Sequence, residues 1–455
     1  MSDYGHVAEK QTLHKEVRMN LYTKQQRIAE IAKRHQKEPI TLLHHYIDEE
    51  WLTTAYQSLR KDSAPGIDQQ YWENYGRNLE ENIKSLIERA KSGKYQAPAV
   101  RGVEIPKPGS KEKRMLGIPT IEDKVLQKGV QMVLEPIYKQ DFYQFSFGFR
   151  KGKSTHQALE YLWKEIMGKN IQWIIDLDIR KFFDTVKHDI LRKLLCKRVR
   201  DGVIVRLIGK WLKAGVLKDG RVRYNDEGTP QGGIVSPMLS NIYLHEALDK
   251  WYAEVVVKRI RERSTMVRYA DDAILGFENK ETAEKVLEAL KKRFAKYGLE
   301  LHPEKTRLID LRKPITGRRT KPSSFYFLGF THFWGKSFKG NWVIKRKTAS
   351  KKFREKIAKM NEWCRNNRHL PVKEQHEKLK QKVNGHYEYY GITGNMKGLQ
   401  RYLNQVKRIW KKWLNRRSWR GNRLNWEKFQ QMLGEYPLPA AKVVHSIYKR
   451  SEAIT

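Results

Sequence analysis

Cysteine is almost missing from this chain of 455 residues, which has two, Cys196 and Cys364. That excludes a disulfide framework and a thiolate zinc site, and it fits a reducing, cytoplasmic setting. Long apolar runs are missing too. No stretch approaches the roughly 20 residues of a membrane span, and the first twenty residues are polar and charged, without the apolar core of a signal peptide. Acidic residues are the third shortage: 51 Asp and Glu face 91 Lys and Arg, a net charge of +40. Such an excess implies a polyanionic partner, nucleic acid first and an anionic membrane second, and the missing span counts against the membrane. Thirteen Trp and 22 Tyr supply flat faces for base stacking, although most aromatics in any chain are core. The length suits two to four structural units, and no internal repeat is visible.

The scarce acids cluster where apolar residues predict strands. Residues 264–277 hold two apolar runs, Met266-Val267 and Ala273 to Phe277, around Ala270-Asp271-Asp272. This pattern predicts a β-hairpin with two carboxylates at its tip. Like charges so placed must stay solvated or meet a cation, and Mg²⁺ prefers carboxylate oxygens. Residues 171–184 make a second acidic strand, in which Ile174, Ile175, Leu177 and Ile179 alternate with Asp176 and Asp178. Asp178 lies 93 residues before Asp271, so only the fold can bring them together. Carboxylates from two neighbouring strands suit two metal ions ~4 Å apart, the arrangement for in-line phosphoryl transfer.

Three motifs in order then resemble the reverse transcriptases. Tyr269-Ala270-Asp271-Asp272 is similar to their signature, and 178–184 (Asp-Ile-Arg-Lys-Phe-Phe-Asp) resembles their first catalytic motif. Residues 229–237 (Thr-Pro-Gln-Gly-Gly-Ile-Val-Ser-Pro) resemble the template and nucleotide motif between them. The segments 384–391 and 413–418 look like the thumb, or maturase, part of group II intron-encoded reverse transcriptases. The resemblance runs over about residues 60–436.

It implies an α+β right-hand polymerase with fingers, a palm built on a small antiparallel sheet, and an all-helical thumb. The bounds expected are a helical N-terminal extension at 1–60, fingers at 61–170, palm at 171–335, thumb at 336–436 and a tail at 437–455. Asp178, Asp271 and Asp272 would be catalytic, and with the backbone carbonyl of Ile179 they would hold two Mg²⁺ ions, or Mn²⁺. Lys107 and Arg114, flanking a basic fingertip turn, match positions that take the triphosphate. Gln231 matches a residue near the nucleotide sugar, and Phe183 matches the gate against a ribose 2′-hydroxyl. Leu328-Gly329 matches the turn that grips the primer. Arg150 and Lys153 lie in a basic loop whose Gly152-Lys153-Ser154 is not a P-loop, because Phe147 stands where its first glycine belongs. With Lys305, Arg416, Arg417 and Trp419 they are the expected nucleic-acid contacts.

Two basic tracts support that expectation. Residues 311–354 carry thirteen Lys or Arg, and residues 401–425 carry nine, neither tract holding an acid. The second interleaves Trp410, Trp413 and Trp419 with its cations, as a nucleic-acid-tracking surface requires. The partners implied are a structured group II intron RNA as ligand and template, a DNA primer or target, and dNTPs, with the protein a monomer or homodimer near the bacterial nucleoid. The Cys- and His-bearing endonuclease of some intron proteins is not expected, since no cysteine follows Cys364. Two other readings fit the same motifs: a domesticated enzyme of phage defence or DNA repair, and an RNA-binding splicing factor with an idle polymerase site.

Overall fold

The acidic strand and the acidic hairpin meet in one sheet. Its four antiparallel strands run in the order Ser264–Tyr269, Asp272–Phe277, Trp173–Leu177 and Arg307–Asp310. The computed structural model describes residues 3–36, 38–106, 113–218, 220–224, 227–228, 232–314, 323–417 and 424–446. Both faces of the sheet are covered. Ile175, Leu177, Leu275 and Phe277 enter one apolar core, while Ile174, Val267 and Ile274 enter a second. Side chains alternate along a strand, so Asp176 and Asp178 share the face of Ile174. Ile174 is fully buried and the two aspartates are half-buried. That face therefore passes from beneath the second core into an open cleft.

A mixed sheet stands beside this one. The strands Val100–Pro106 and Lys113–Ile118 form the expected antiparallel hairpin, and Val100–Pro106 also pairs in parallel with Val216–Lys218. The tip of that hairpin, with Lys107, lies outside the described residues. A third sheet joins Ser324–Phe327, Phe330–Lys336 and Trp342–Thr348. Helices fill the rest, and the architecture is α+β. Ile121–Asp141, started by the Thr120 cap, is buried on nearly every side against the helices Asp3–Arg34 and Glu49–Gln57. Glycines end two of the helices: Leu79–Ser92 stops on Gly93 at φ 86°, and Lys280–Ala295 is followed by Gly298 at φ 65°.

Two expectations need correction. The N-terminal extension expected to be helical over 1–60 is interrupted. Between Arg34 and Glu49 the helix gives way to a single short turn, His44–Tyr46, because the Asp201 carboxylate accepts from the N–H groups of Leu43 (2.7 Å) and His44 (2.9 Å). Leu43, Ile47, Trp51, Leu52 and Tyr56 are core as expected, but Leu42 is exposed. The segment expected to be all helical from 336 instead begins with the strand Trp342–Thr348, and its helices start at Ser350. Cross-strand pairing with Phe330–Lys336 holds that strand.

The C-terminal helices enclose His386. Its ring stacks on Tyr402 at 3.6 Å, and neither ring nitrogen has a hydrogen-bond partner among the described residues. Burial, aided by the Lys356 charge, pushes its pKa down to about 3. The unfolded chain therefore takes up a proton that the folded chain refuses. Its stabilising contribution is complete above the ordinary histidine value and is lost as pH falls toward 3. At pH 5 the loss should be about 2 kcal/mol. We expect His386→Phe, which keeps the stack, to flatten the fall in melting temperature between pH 7 and pH 5. An unchanged slope would assign acid sensitivity to other groups.

Candidate active site

The hairpin register brings the carboxylates together. Leu177 pairs with Ala273, so one step further Asp178 stands opposite Asp272. Asp271 occupies the tight turn between Tyr269 and Asp272, preceded by Ala270 at a left-handed φ of 58°. A non-glycine residue there costs roughly 1–3 kcal/mol and persists only when its surroundings enforce it. The loop expected to be basic and glycine-rich does so from below. A methyl group on Gly148 would sit 2.1 Å from the Ala270 nitrogen, so only glycine fits.

The main chain of Asp178 is equally fixed. Its carbonyl accepts from the His302 N–H at 2.8 Å, and the Thr306 hydroxyl lies 3.2 Å from that oxygen and 3.3 Å from the Asp178 nitrogen. Ile179 bridges Leu301 in the same segment. Lys305 places its ammonium 3.6 Å from the Asp178 carboxylate. Its charge thus reaches the acidic centre, a role the sequence reading did not give it.

Electrostatics mark the cluster as unsatisfied. Asp272 is exposed at the start of its strand, but the protein around it removes much of its bulk solvent. That loss of bulk solvent, then Asp271, Asp178 and Asp176, pushes its carboxyl up to about 7. Burial and Asp178 push Asp176 up to about 6. Burial also raises Asp271, against the pull of Arg114 and Arg268. Gathered carboxylates that resist ionisation are what a divalent cation relieves. Among the described residues no three His, Cys, Asp or Glu side chains close a metal cage.

The surroundings of the cluster suit a nucleotide. Arg114, exposed on Lys113–Ile118, is near enough for its charge to act on Asp271. Phe183 sits in the one-turn helix Phe182–Thr185, half-buried, its ring 5.3 Å from Phe182 and edge-on to it. Glycines in and just before the 229–237 motif permit close approach: a methyl on Gly228 would lie 3.0 Å from the Phe183 carbonyl, and one on Gly232 would lie 2.5 Å from that of Gly117. Leu328 and Gly329, at φ 47° and 84°, turn between Ser324–Phe327 and Phe330–Lys336, and the Tyr389 hydroxyl donates to the Leu328 carbonyl at 3.1 Å. Beside that turn is the exposed Tyr326, whose phenol is raised by burial and also by Asp272.

Some expected contacts are spent elsewhere. Arg150 donates to the carbonyls of Tyr143 (2.7 Å), Ser146 (2.6 Å) and Phe142 (3.4 Å), so its guanidinium secures its own loop. Arg417 does the same for the carbonyls of Arg368 and Leu370. Both guanidiniums therefore hold main-chain carbonyls, as a planar fork of donors can. Lys153 lies over Phe147 and Arg416 over Trp413, both with exposed charges. Gln231 and Trp419 lie outside the described residues. The sequence reading passed over Arg268, Asp249 and Asn241, although an arginine within the apolar run 266–269 was a signal.

Comparison with known proteins agrees with the geometry. The family described as reverse transcriptase (RNA-dependent DNA polymerase) matches residues 105–332. The group II intron-encoded protein LtrA of Lactococcus lactis subsp. cremoris is 38% identical over 241 residues, 52% of this chain and 39% of that protein. Protein YkfC of Escherichia coli (strain K12) is 34% identical over 267 residues, 51% of this chain and 69% of that protein. The mitochondrial nuclear intron maturase 3 of Arabidopsis thaliana is 30% identical over 163 residues, 35% and 22% of the two chains. This chain therefore matches well under half the length of the intron-encoded protein.

Proposed function

Because the chain belongs to the reverse transcriptase (RNA-dependent DNA polymerase) family, we propose that it copies RNA into DNA and binds a structured group II intron RNA, assisting its splicing and mobility. The observation that carries the proposal is the register that sets Asp178 against Asp272, with Asp271 on the strained turn between paired strands. The central sheet would be the palm, the mixed sheet part of the fingers, and the helices from Ser350 the thumb.

In this reading Asp178 and Asp271 would hold the divalent cations, two Mg²⁺ with Mn²⁺ able to substitute, and Asp272 would support them. Bound there, the cations would supply charge neutralisation for phosphoryl transfer. The protein's own residues do the rest. Lys107 and Arg114 take up triphosphate charge as it moves to the leaving group. Phe183 stands against the sugar, Gln231 near it, and Leu328-Gly329 against the primer strand. Arg416, Lys153 and Trp419 extend the contact along the nucleic acid, a +40 protein's means of holding a polyanion. A DNA primer or target and dNTPs complete the partners, in the cytoplasm and near the nucleoid.

The intron part is tested by purifying the protein from its host and sequencing the RNA it retains. We expect one enriched species that folds as a group II intron. Retention of bulk cytoplasmic RNA without enrichment would overturn it and leave polymerisation standing.

A further inference from the structure

The hydrogen-bond network beneath the acidic turn centres on a charge no expectation assigned. Arg268, on Ser264–Tyr269, is fully buried, and so is Asp249. Every donor of the guanidinium is used. Nε and Nη2 bind the two Asp249 oxygens at 2.7 and 2.6 Å, Nη2 also reaches the Ser146 hydroxyl at 2.8 Å, and Nη1 binds the Asn241 side-chain oxygen at 2.8 Å. The last bond runs from Nη1 to the carbonyl of Ala270 at 3.0 Å, the left-handed residue beside Asp271.

The other ends of this network also converge on the turn. The Asn241 amide donates to the Gly148 carbonyl at 2.7 Å, and Gly148 is the residue packed under Ala270. Main-chain bonds of 2.8 Å tie Arg268 to Phe145 and Phe147 on either side of Ser146. Asp249 ends a π-helical turn, His245–Asp249, within the helical run that begins at Ser236. Such wide turns occur mainly where function needs a side chain re-aimed.

We propose that Arg268, held by Asp249, is the positioning residue of the acidic turn: it clamps the Ala270 carbonyl so that Asp271 and Asp272 face Asp178 before any ligand arrives. Stability alone is a weak account of the pair, since a buried ion pair is often matched by well-packed apolar residues of similar volume. What apolar residues could not do is hold a strained carbonyl from one side while anchoring three separate segments. Lysine could not either, because it has three donors and no planar fork, so Arg268→Lys must release at least two of the five bonds. Preorganisation is the expected return: a catalytic group must be held to within about 0.5 Å by its supporting shell.

The inference rests on reading the cleft as a polymerase site. The test uses the full chain with Arg268→Lys and, as the milder variant, Asp249→Asn, which keeps the side-chain shape. Each is assayed below its own melting temperature. We expect kcat for RNA-templated extension to fall ~10–100-fold with the dNTP KM within ~3-fold, as for loss of a transition-state interaction alone. Mn²⁺ binding without substrates, followed by its paramagnetic signal, should weaken several-fold in both variants. RNA affinity should not move. Wild-type kcat and Mn²⁺ binding in folded variants would overturn the proposal, as would a loss that follows melting temperature and disappears on cooling. Failure of the wild-type protein to extend any primer would instead sink the polymerase reading.

Discussion

Asp271→Ala should reduce DNA synthesis by ~10²–10³-fold or more, the scale for removing a group that stabilises transition-state charge. It should do so without loosening the fold. Asp271 is among the like charges that raise the Asp272 carboxyl, so its removal relieves repulsion within the cleft. Melting temperature should hold or rise. RNA affinity should stay within about twofold, because phosphate contacts by Lys and Arg carry it. Synthesis lost together with stability would point to a structural carboxylate instead.

The second large effect concerns sugar choice. Phe183 is half-buried and braced edge-on by Phe182, so its ring is a fixed wall rather than a mobile cover. A wall excludes a 2′-hydroxyl by volume and needs no hydrogen bond. Phe183→Ala should therefore cut the preference for dGTP over rGTP by up to ~10²-fold, about what an apolar surface can enforce against one hydroxyl. The cost in stability should stay below the ~3–5 kcal/mol of a fully buried phenylalanine. Single-nucleotide incorporation by both proteins measures the ratio. If the ratio is unchanged, the gate lies on another residue.

Local pattern made the acidic elements readable. Alternation marked Trp173–Leu177, and apolar runs marked the hairpin. What stayed hidden depends on partners far apart in the chain. The Lys305 ammonium meets Asp178 across 127 residues, and Arg268 gathers residues from 146 to 249. Arg150 is a related case: the basic loop was legible, but the carbonyls of Tyr143 and Ser146 that its guanidinium binds were not. The break after Arg34 was hidden for the same reason, because the Asp201 carboxylate that takes those N–H groups lies more than 150 residues away.

The central claim is that this cleft joins deoxynucleotides on an RNA template. The most direct measurement gives the purified full chain an RNA template, an annealed DNA primer, all four dNTPs and Mg²⁺, with Asp271→Ala run beside it. The expected result is a DNA product that reaches the template end, depends on the divalent cation and is missing from the variant lane. Tight binding of the same RNA with no primer extension by the wild-type chain, in Mg²⁺ and in Mn²⁺, would contradict it.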